Sequence, residues 1–231
     1  MIPRLKADLG ISDLTALWPS RDNKLDVEKF ERAFAELANQ KYAISFPYGR
    51  TAQIAILNAL GKPGGEVICP SYTCVVVAHA IVKAGMKPVF IDSNQSNFNM
   101  DWSYVREATN SKTIAIIATS IFGHPVNGDE FKAYRKDFPS ITILQDCAHS
   151  FLANDSHKEG LAAFFGLNIS KIITSIFGGM VTTDDSKFAA KVRKEREEML
   201  VDGGITHEIK RSLYLATVLV SFTRPIYKVV N

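Results

Sequence analysis

The sequence is poor in cysteine, and the three cysteines follow no metal-site or disulfide pattern. Cys69, Cys74 and Cys147 form no Cys-x-x-Cys pair and show no Cys/His spacing of the kind that binds zinc. An odd number of cysteines without a disulfide framework is typical of reduced thiols. The sequence therefore predicts no metal site and indicates a cytoplasmic location.

The chain also lacks an excess of charge and a long hydrophobic run. Its 231 residues carry 27 basic and 24 acidic side chains, a net charge of +3, without a Lys/Arg-rich stretch. This balance argues against a nucleic-acid partner. The N-terminus, with Pro3, Arg4 and Lys6, does not resemble a signal peptide. The apolar run Leu213–Phe222 is shorter than the roughly 20 residues that span a bilayer, so membrane contact is disfavoured and a helix packed on the domain or on a partner subunit is expected.

Short apolar runs alternate with amphipathic patterns along most of the chain, whose 46% hydrophobic and 22% charged residues are typical of a globular protein. Buried runs that are each followed by a helix indicate a mostly parallel sheet covered on both faces, a three-layer α/β/α fold with seven strands. The predicted strands are Tyr42–Phe46, Glu66–Cys69, Pro88–Asp92, Thr113–Thr119, Ile141–Gln145, Leu161–Phe165 and Met180–Thr183, and the helices between them are Thr51–Leu60, Val75–Lys83, Trp102–Thr109 and Gly128–Asp137.

Further helices flank this alternating region. Before it, Val27, Phe30, Phe34 and Leu37 share one helical face, and Asp26 is expected to cap the start of that helix. After it, a charged helix over residues 187–198 is expected to present a solvated face, and another helix is expected over residues 208–222.

Ligands of such sheets bind at the carboxyl ends of the strands, so the loops that follow the strands are the candidate site. Gly49, Arg50 and Thr51 follow the first strand and open a helix, whose free N–H groups and dipole can hold a phosphate. An ordinary strand–helix turn is the alternative interpretation, since the stretch is not a Walker or dinucleotide fingerprint.

Two further loops contain ionisable side chains. Asp146 ends a strand, where a carboxylate can pair with a protonated ring nitrogen of a cofactor, and His149 can stack or hydrogen-bond beside it. Lys171 lies among isoleucines, and apolar surroundings favour the neutral amine that Schiff-base chemistry requires. A turn-capping Asp, a structural His and a surface Lys over an apolar patch are the alternatives. The pair Gly178-Gly179 suggests a tight backbone near a ligand.

In order and spacing, these segments resemble the DegT-like sugar aminotransferases, a branch of the fold-type-I enzymes that use pyridoxal phosphate (PLP). The resemblance covers about residues 25 to 200. The segments that carry it are Tyr48-Gly49-Arg50-Thr51-Ala52, Glu66-Val67-Ile68-Cys69-Pro70-Ser71-Tyr72-Thr73, Gly85-Met86-Lys87-Pro88-Val89-Phe90-Ile91-Asp92, Phe122-Gly123-His124-Pro125, Gln145-Asp146-Cys147-Ala148-His149-Ser150, and Ser170-Lys171 leading to Gly178-Gly179-Met180-Val181.

The resemblance implies a role for each matching position. Lys171 would form the Schiff base with PLP and carry the proton during transamination, and Asp146 would hold the pyridinium proton. His149 would contact the phenolic-oxygen side of the cofactor. Arg50 and Thr51, after Gly49, would cradle its phosphate. The implied reaction moves an amino group from an amino acid, often glutamate, to a nucleotide-linked keto sugar for polysaccharide, lipopolysaccharide or secondary-metabolite assembly, in an enzyme expected to be a homodimer.

The sequence departs from the family pattern at two cofactor positions. Cys74 stands where an aromatic residue commonly stacks on the ring, with Tyr72 nearby but offset, and Gly166 stands where a Ser binds the phosphate. Asn168 or Ser170 could substitute for that Ser. Each lost charge-assisted hydrogen bond is worth about 1.5–3 kcal/mol, so weaker cofactor retention is expected.

Length is the larger departure, because the family has a C-terminal small domain after the large one. The expected division is an N-terminal arm over residues 1–24, a PLP-binding large domain over residues 25–205, and a final helix with the start of a small domain over residues 206–231. The small domain is expected to be missing or truncated. A catalytically inactive relative acting as a regulatory or partner subunit is an alternative function. A sugar dehydratase is another, although that branch has His at the position of Lys171.

Overall fold

The computed structural model of the protein describes residues 23–151, 153–201 and 203–221. Almost all of the predicted N-terminal arm and the last ten residues lie outside them, so the predicted arm is not tested. The proposed domain boundaries stay a prediction.

In the described residues, seven strands form one sheet in the order β1-β7-β6-β5-β4-β2-β3. The pairs of β2 with β3, β2 with β4, β4 with β5 and β5 with β6 are parallel, whereas β7 runs antiparallel to both of its neighbours. The predicted mostly parallel sheet is confirmed. The strands are β1 (Tyr42–Phe46), β2 (Glu66–Pro70), β3 (Lys87–Ile91), β4 (Thr113–Thr119), β5 (Thr142–Asp146), β6 (Ala162–Gly166) and β7 (Gly179–Thr183).

The helices follow the strands as the alternation predicts, with ends that differ by at most two residues in the region between the strands. They are α1 (Asn23–Leu37), α2 (Gly49–Ala59), α3 (Val75–Lys83), α4 (Trp102–Ala108), α5 (Gly128–Asp137), α6 (Ser186–Met199) and α7 (Gly204–Ser221). Asp26 lies inside the first turn of α1, so the expectation that it caps this helix is wrong. The cap of α6 is Asp185, which accepts a hydrogen bond from the Phe188 N–H at 2.8 Å.

Alternate residues of the strands face two separate apolar layers, which makes the fold three-layered. Ile117 and Phe164 pack in a core with α2, α3 and α6. Ile116, next to Ile117, packs with α4 and α5, and Phe165, next to Phe164, packs with α1. Because successive side chains of a strand point to opposite faces, an apolar run predicts burial on both sides of the sheet.

The first and last helices are less buried than their sequences suggest. On α1, Phe34 is buried, but Val27 is 41% exposed and Leu37 is 53% exposed. On α7, Val218 is buried, whereas Leu213 is 63% exposed. The expected packing of this helix against the domain is therefore only partly present in the described residues. No helix in the described part of the chain is both long enough and apolar enough to cross a membrane.

Candidate functional site

A cavity of about 220 Å³ opens at the carboxyl ends of the central strands. Eight of the ten residues that the sequence nominates for the site line it, and they lie at the carboxyl ends of β5 and β6 or in the segments that follow β1, β2, β5 and β6. These eight residues are Gly49, Arg50, Cys74, Asp146, His149, Gly166, Asn168 and Lys171.

The N-terminus of α2 forms one wall of the cavity. Tyr48 occupies the cap position in an extended conformation, and its side chain makes no capping hydrogen bond. The first N–H groups of the helix, at Gly49 and Arg50, therefore receive no capping bond from that side chain, and the helix dipole makes this end attractive to an anion.

Glycines allow this helix to start very close to the neighbouring strands. A Cβ at Gly179 would lie 2.5 Å from the Tyr48 carbonyl oxygen and 2.6 Å from the Gly49 nitrogen. A Cβ at Gly49 would lie 3.1 Å from the Cα of Gly166. The tight backbone that the Gly178-Gly179 pair predicts is therefore confirmed, and Gly178 lines the cavity. At Gly179, however, the close contact is with the chain's own turn after β1.

Asp146, the last residue of β5, is 4% exposed. Its Oδ1 accepts a hydrogen bond from the Ala148 N–H at 3.0 Å. Burial raises the pKa of this carboxyl from 3.8 to about 6, although the Ala148 N–H and the positive charge of Lys171 both act to lower it. A buried carboxylate with this pKa is ionised at neutral pH, where a further cationic partner would stabilise it.

Lys171 lies in the loop between β6 and β7, and its backbone N–H donates to the Asn168 carbonyl oxygen at 2.9 Å. Burial lowers the pKa of the Lys171 ammonium, while Asp146 and then Cys74 act to raise it. The expected apolar environment is therefore present, but Ile172 contributes little to it, since this side chain is 74% exposed and does not line the cavity. The walls of the cavity desolvate the amine.

The same loop contains a strained residue. Ile176 has a φ of +69°, a conformation that is a genuine outlier for a β-branched side chain. Its N–H donates to the Thr174 Oγ1 at 2.8 Å, and the Thr174 hydroxyl donates to the Leu167 carbonyl oxygen at 3.3 Å. Strained backbone is often retained at functional sites, and here it lies in the loop that positions Lys171.

His149 follows Asp146 and lies beside Lys171. Desolvation, followed by the positive charge of Lys171, lowers the pKa of this imidazole. The neutral ring is therefore favoured, and it can act as a hydrogen-bond donor at one nitrogen and an acceptor at the other.

Gly166, Asn168 and Cys74 contribute to the cavity in different ways. The position of a Cβ at Gly166 would be 3.4 Å from the Lys171 Cε, so this residue faces the lysine side chain. The Asn168 Oδ1 already accepts from the Ser170 N–H and hydroxyl at 3.1 and 2.7 Å. Cys74 lies at the cap position of α3 and makes no side-chain capping bond there.

Thr51 and Tyr72 are nominated by the sequence but do not line the cavity. Thr51 lies in the first turn of α2, so its contact with a phosphate stays a prediction. Tyr72 is 52% exposed, and its ring packs against other aromatic rings outside the cavity. In the loop after β2, Thr73 and Cys74 face the cavity instead.

Sequence reasoning missed several lining residues, of which Gln53 is the most informative. Gln53 is 1% exposed on α2, and its Nε2 donates to the Val77 carbonyl oxygen on α3 at 3.2 Å. A polar residue on the apolar face of α2 is the signal that could have identified it. Thr119, at the end of β4, also lines the cavity, and its strand-end position is the corresponding signal.

Comparison with known proteins identifies the family. Residues 20–214 match the DegT/DnrJ/EryC1/StrS aminotransferase family, and the chain belongs to that family. GDP-perosamine synthase from Caulobacter vibrioides is 32% identical over 199 residues, which are 83% of this chain and 53% of that protein.

Solved structures agree with this assignment. DesI, solved in the presence of its TDP-sugar product, is 28% identical with a TM-score of 0.68, covering 79% of this chain and 47% of that one. PseC from Helicobacter pylori, an aminotransferase of pseudaminic acid biosynthesis, is 22% identical with a TM-score of 0.78, covering 88% of this chain and 58% of PseC, and shows the shared fold. The chain thus spans about half the length of the relatives it matches.

Proposed function

We propose that this chain forms the cofactor-binding part of an aminotransferase that moves an amino group from an amino acid, glutamate in the first instance, to a nucleotide-linked keto sugar. Aminotransferases of this family use PLP. The observation that carries the proposal is that Asp146 and Lys171 face one cavity and interact electrostatically there. The chain therefore retains both residues that the proposed chemistry most needs, which argues against an inactive relative.

The cavity has hydrogen-bonding groups suited to two parts of PLP, the phosphate and the ring nitrogen. The N-terminus of α2, with Gly49 and Arg50, would hold the phosphate, and Asp146 would pair with the ring nitrogen. When bound, the cofactor supplies an electrophilic carbon and a conjugated ring that withdraws electrons from the α-carbon of the amino acid. Gly166 offers no hydroxyl to the phosphate, so we expect the helix terminus to supply most of that binding.

Lys171 would act both as nucleophile and as proton carrier at its Nζ. Because burial lowers the pKa of the ammonium, a larger share of the side chain is neutral amine near neutral pH than for an exposed lysine. The neutral amine can condense with a carbonyl carbon with loss of water. Once the amino group of the incoming amino acid has displaced it, the free amine can take up and return a proton.

Asp146 would keep the opposite end of the cofactor protonated. Its pKa of about 6 leaves it ionised at neutral pH, and a cationic ring nitrogen within hydrogen-bond reach would lower that pKa further. His149, held neutral, would donate or accept a hydrogen bond at the edge of the ring without adding charge.

The substrate assignment rests on the relatives. Two relatives motivate a nucleotide-linked keto sugar as the amino acceptor. They are GDP-perosamine synthase and DesI, whose structure was solved in the presence of its TDP-sugar product. We also propose that the enzyme acts in polysaccharide, lipopolysaccharide or secondary-metabolite sugar assembly and that it forms a homodimer. Its proposed location is the cytoplasm, where free thiols such as Cys69 and Cys147 stay reduced.

The test is covalent attachment of PLP to the purified 231-residue chain. Incubation with PLP and reduction with borohydride should attach one phosphopyridoxyl group to Lys171, with the mass of PLP less water plus two hydrogens, mapped by peptide mass spectrometry. Lys171→Ala should abolish the specific adduct, whereas Lys83→Ala, at the exposed end of α3, should not. Labelling that is unchanged in Lys171→Ala protein would contradict the proposal.

The second step of the test is product analysis with glutamate and a GDP- or TDP-linked 4-keto sugar. An amino sugar formed in stoichiometric amount with 2-oxoglutarate supports aminotransfer. A deoxygenated sugar without an amino group would indicate dehydration instead.

A further inference from the structure

Three exposed aromatic rings meet beside the cavity, at Tyr72, Phe98 and Phe122, and form what we call the aromatic platform. Their centroids are 5.9 Å (Tyr72–Phe98), 6.1 Å (Tyr72–Phe122) and 5.7 Å (Phe98–Phe122) apart. The three residues are 52%, 48% and 59% exposed, respectively. Clustered exposed aromatic rings of this kind mark interaction sites more often than isolated apolar residues do.

The sheet topology brings these rings together from three separate loops. Tyr72 follows β2, Phe98 lies in the segment between β3 and α4, and Phe122 follows β4. Because β4, β2 and β3 are neighbours in the sheet and run parallel, their carboxyl ends lie side by side. The platform is therefore on the same edge of the sheet as the cavity.

Two of the rings are presented by strained backbone. Phe98 has a φ of +63° and Phe122 a φ of +51°, which large side chains rarely adopt. Burial of the rings does not compensate for this strain, since both are about half exposed. Such strain persists where the surrounding structure imposes it, and it often serves function.

A buried asparagine links the two strained segments. Asn99, next to Phe98, is 5% exposed, and its Oδ1 accepts from the Ile121 N–H at 2.9 Å. Its Nδ2 donates to the His124 carbonyl oxygen at 3.1 Å. These bonds hold the backbone on both sides of Phe122 against the segment that carries Phe98, so the relative position of the two rings is built into the fold.

The platform is continuous with the cavity at three points. The Phe122 ring lies nearly parallel to the ring of His149, with centroids 6.3 Å apart and an angle of 21°, and His149 lines the cavity. Thr73 and Ile121, the chain neighbours of Tyr72 and Phe122, line it as well. A cavity of about 220 Å³ is smaller than the roughly 300–1,000 Å³ that is typical of ligand pockets, so much of a large nucleotide-linked substrate would lie outside it.

We propose that the aromatic platform stacks the nucleobase of the nucleotide-linked substrate, an inference that rests on the proposed function. The nucleobase is the planar aromatic part of such a substrate, and aromatic side chains bind planar π systems by offset or edge contacts. Stacking tolerates different bases because each has a π face. The platform therefore contributes affinity for the nucleoside part and little discrimination between guanine and thymine.

Calorimetric titration of the full 231-residue chain tests this binding without any catalytic readout. The probes are GDP and TDP, with inorganic pyrophosphate as the probe that has no base. Phe122→Gly should weaken binding of both nucleotides about tenfold and leave pyrophosphate binding unchanged. Tyr104→Ala, which removes a ring that is 48% exposed on α4, is the matched control and should leave all three affinities unchanged.

Thermal unfolding of the same variants separates stacking from a structural role. Glycine adopts a positive φ without strain, and this relief offsets the lost ring contacts and the greater entropy of the unfolded chain, so Phe122→Gly should unfold at a temperature close to that of the wild type. Full nucleotide affinity in Phe122→Gly protein, or no nucleotide binding by the wild-type chain, would overturn the proposal. A change of oligomeric state with unchanged nucleotide affinity would also overturn it and assign the rings to a subunit interface. Failure of PLP attachment at Lys171 would instead count against the proposed function.

Discussion

Replacement of Asp146 by Asn is expected to stabilise the cofactor-free protein at neutral pH, although it removes a residue that the proposed function needs. Burial raises the pKa of this carboxyl from 3.8 to about 6, so the folded protein holds the proton more tightly than the unfolded chain does. The resulting contribution to stability is fully present below the unfolded value and is lost as the pH rises through the folded value. Above that range the ionised Asp146 lowers the free energy of unfolding.

The magnitude follows from the two pKa values. A rise from 3.8 to about 6 corresponds to about 3 kcal/mol, at roughly 1.4 kcal/mol for each pKa unit. Asn has nearly the same shape as Asp, and its carbonyl oxygen can still accept the hydrogen bond from the Ala148 N–H. At about 2–4 °C per kcal/mol for a chain of this size, the melting temperature should rise by about 6–12 °C.

Urea unfolding of the cofactor-free protein, followed by circular dichroism across a pH series, measures this effect. The gain from Asp146→Asn should be largest at about pH 8 and should vanish below about pH 3, where the wild-type carboxyl is protonated in both the folded and the unfolded state. Asp92→Asn, at an exposed position directly after β3, is the control and should change the free energy of unfolding by less than about 0.5 kcal/mol.

Two results would refute the reasoning. Either Asp146→Asn is no more stable than the wild type at alkaline pH, or its gain is the same at acid and alkaline pH and so does not arise from ionisation. Addition of PLP should reverse the order, because a ligand that binds the wild type more tightly stabilises it more.

Two substitutions of glycine test the geometry of the cavity. Gly179→Ala should destabilise the fold by about 1–3 kcal/mol and weaken PLP binding, because its Cβ would lie 2.5 Å from the Tyr48 carbonyl oxygen. Gly128→Ala is the control, because its Cβ would lie 3.7 Å from the Glu159 Oε1, an ordinary contact distance, and equal unfolding free energies for the two variants would contradict the expectation. Gly166→Ser should be tolerated, since its Cβ would lie 3.4 Å from the Lys171 Cε, and should slow the loss of PLP during dialysis about tenfold by adding a hydrogen bond to the phosphate. Unchanged or faster loss would show that the hydroxyl does not reach the phosphate.

Much of the fold could be predicted because its sheet is central and mostly parallel. Strands such as β4 are buried on both faces and therefore read as continuous apolar runs, as Thr113–Thr119 does. The helix ends were predicted less well where no strong local signal exists. At α1, Asp26 is a plausible cap by residue type, but the helix starts three residues earlier.

Exposure and side-chain direction were harder to predict than secondary structure. The spacing of Val27 and Leu37 on α1 indicates a shared face, yet both are exposed, because spacing does not say how far the neighbouring element extends. In the loop after β2, the cavity receives Thr73 and Cys74 and not Tyr72. The backbone path of a loop decides such choices, and no periodic pattern specifies it.

The sequence by itself determined the order of strands and helices and nominated Asp146, His149 and Lys171, because strand-end loops and residue chemistry are both legible along the chain. Only the tertiary structure decided that Asp146 and Lys171 share a cavity with the N-terminus of α2, about 120 residues from Lys171 in the chain. The physical reason is the strand order β1-β7-β6-β5, which places β1, the first strand in the chain, beside β7, β6 and β5, the last three strands in the chain. That same order places the aromatic platform on the neighbouring strand ends, where the sequence shows only three separate aromatic residues.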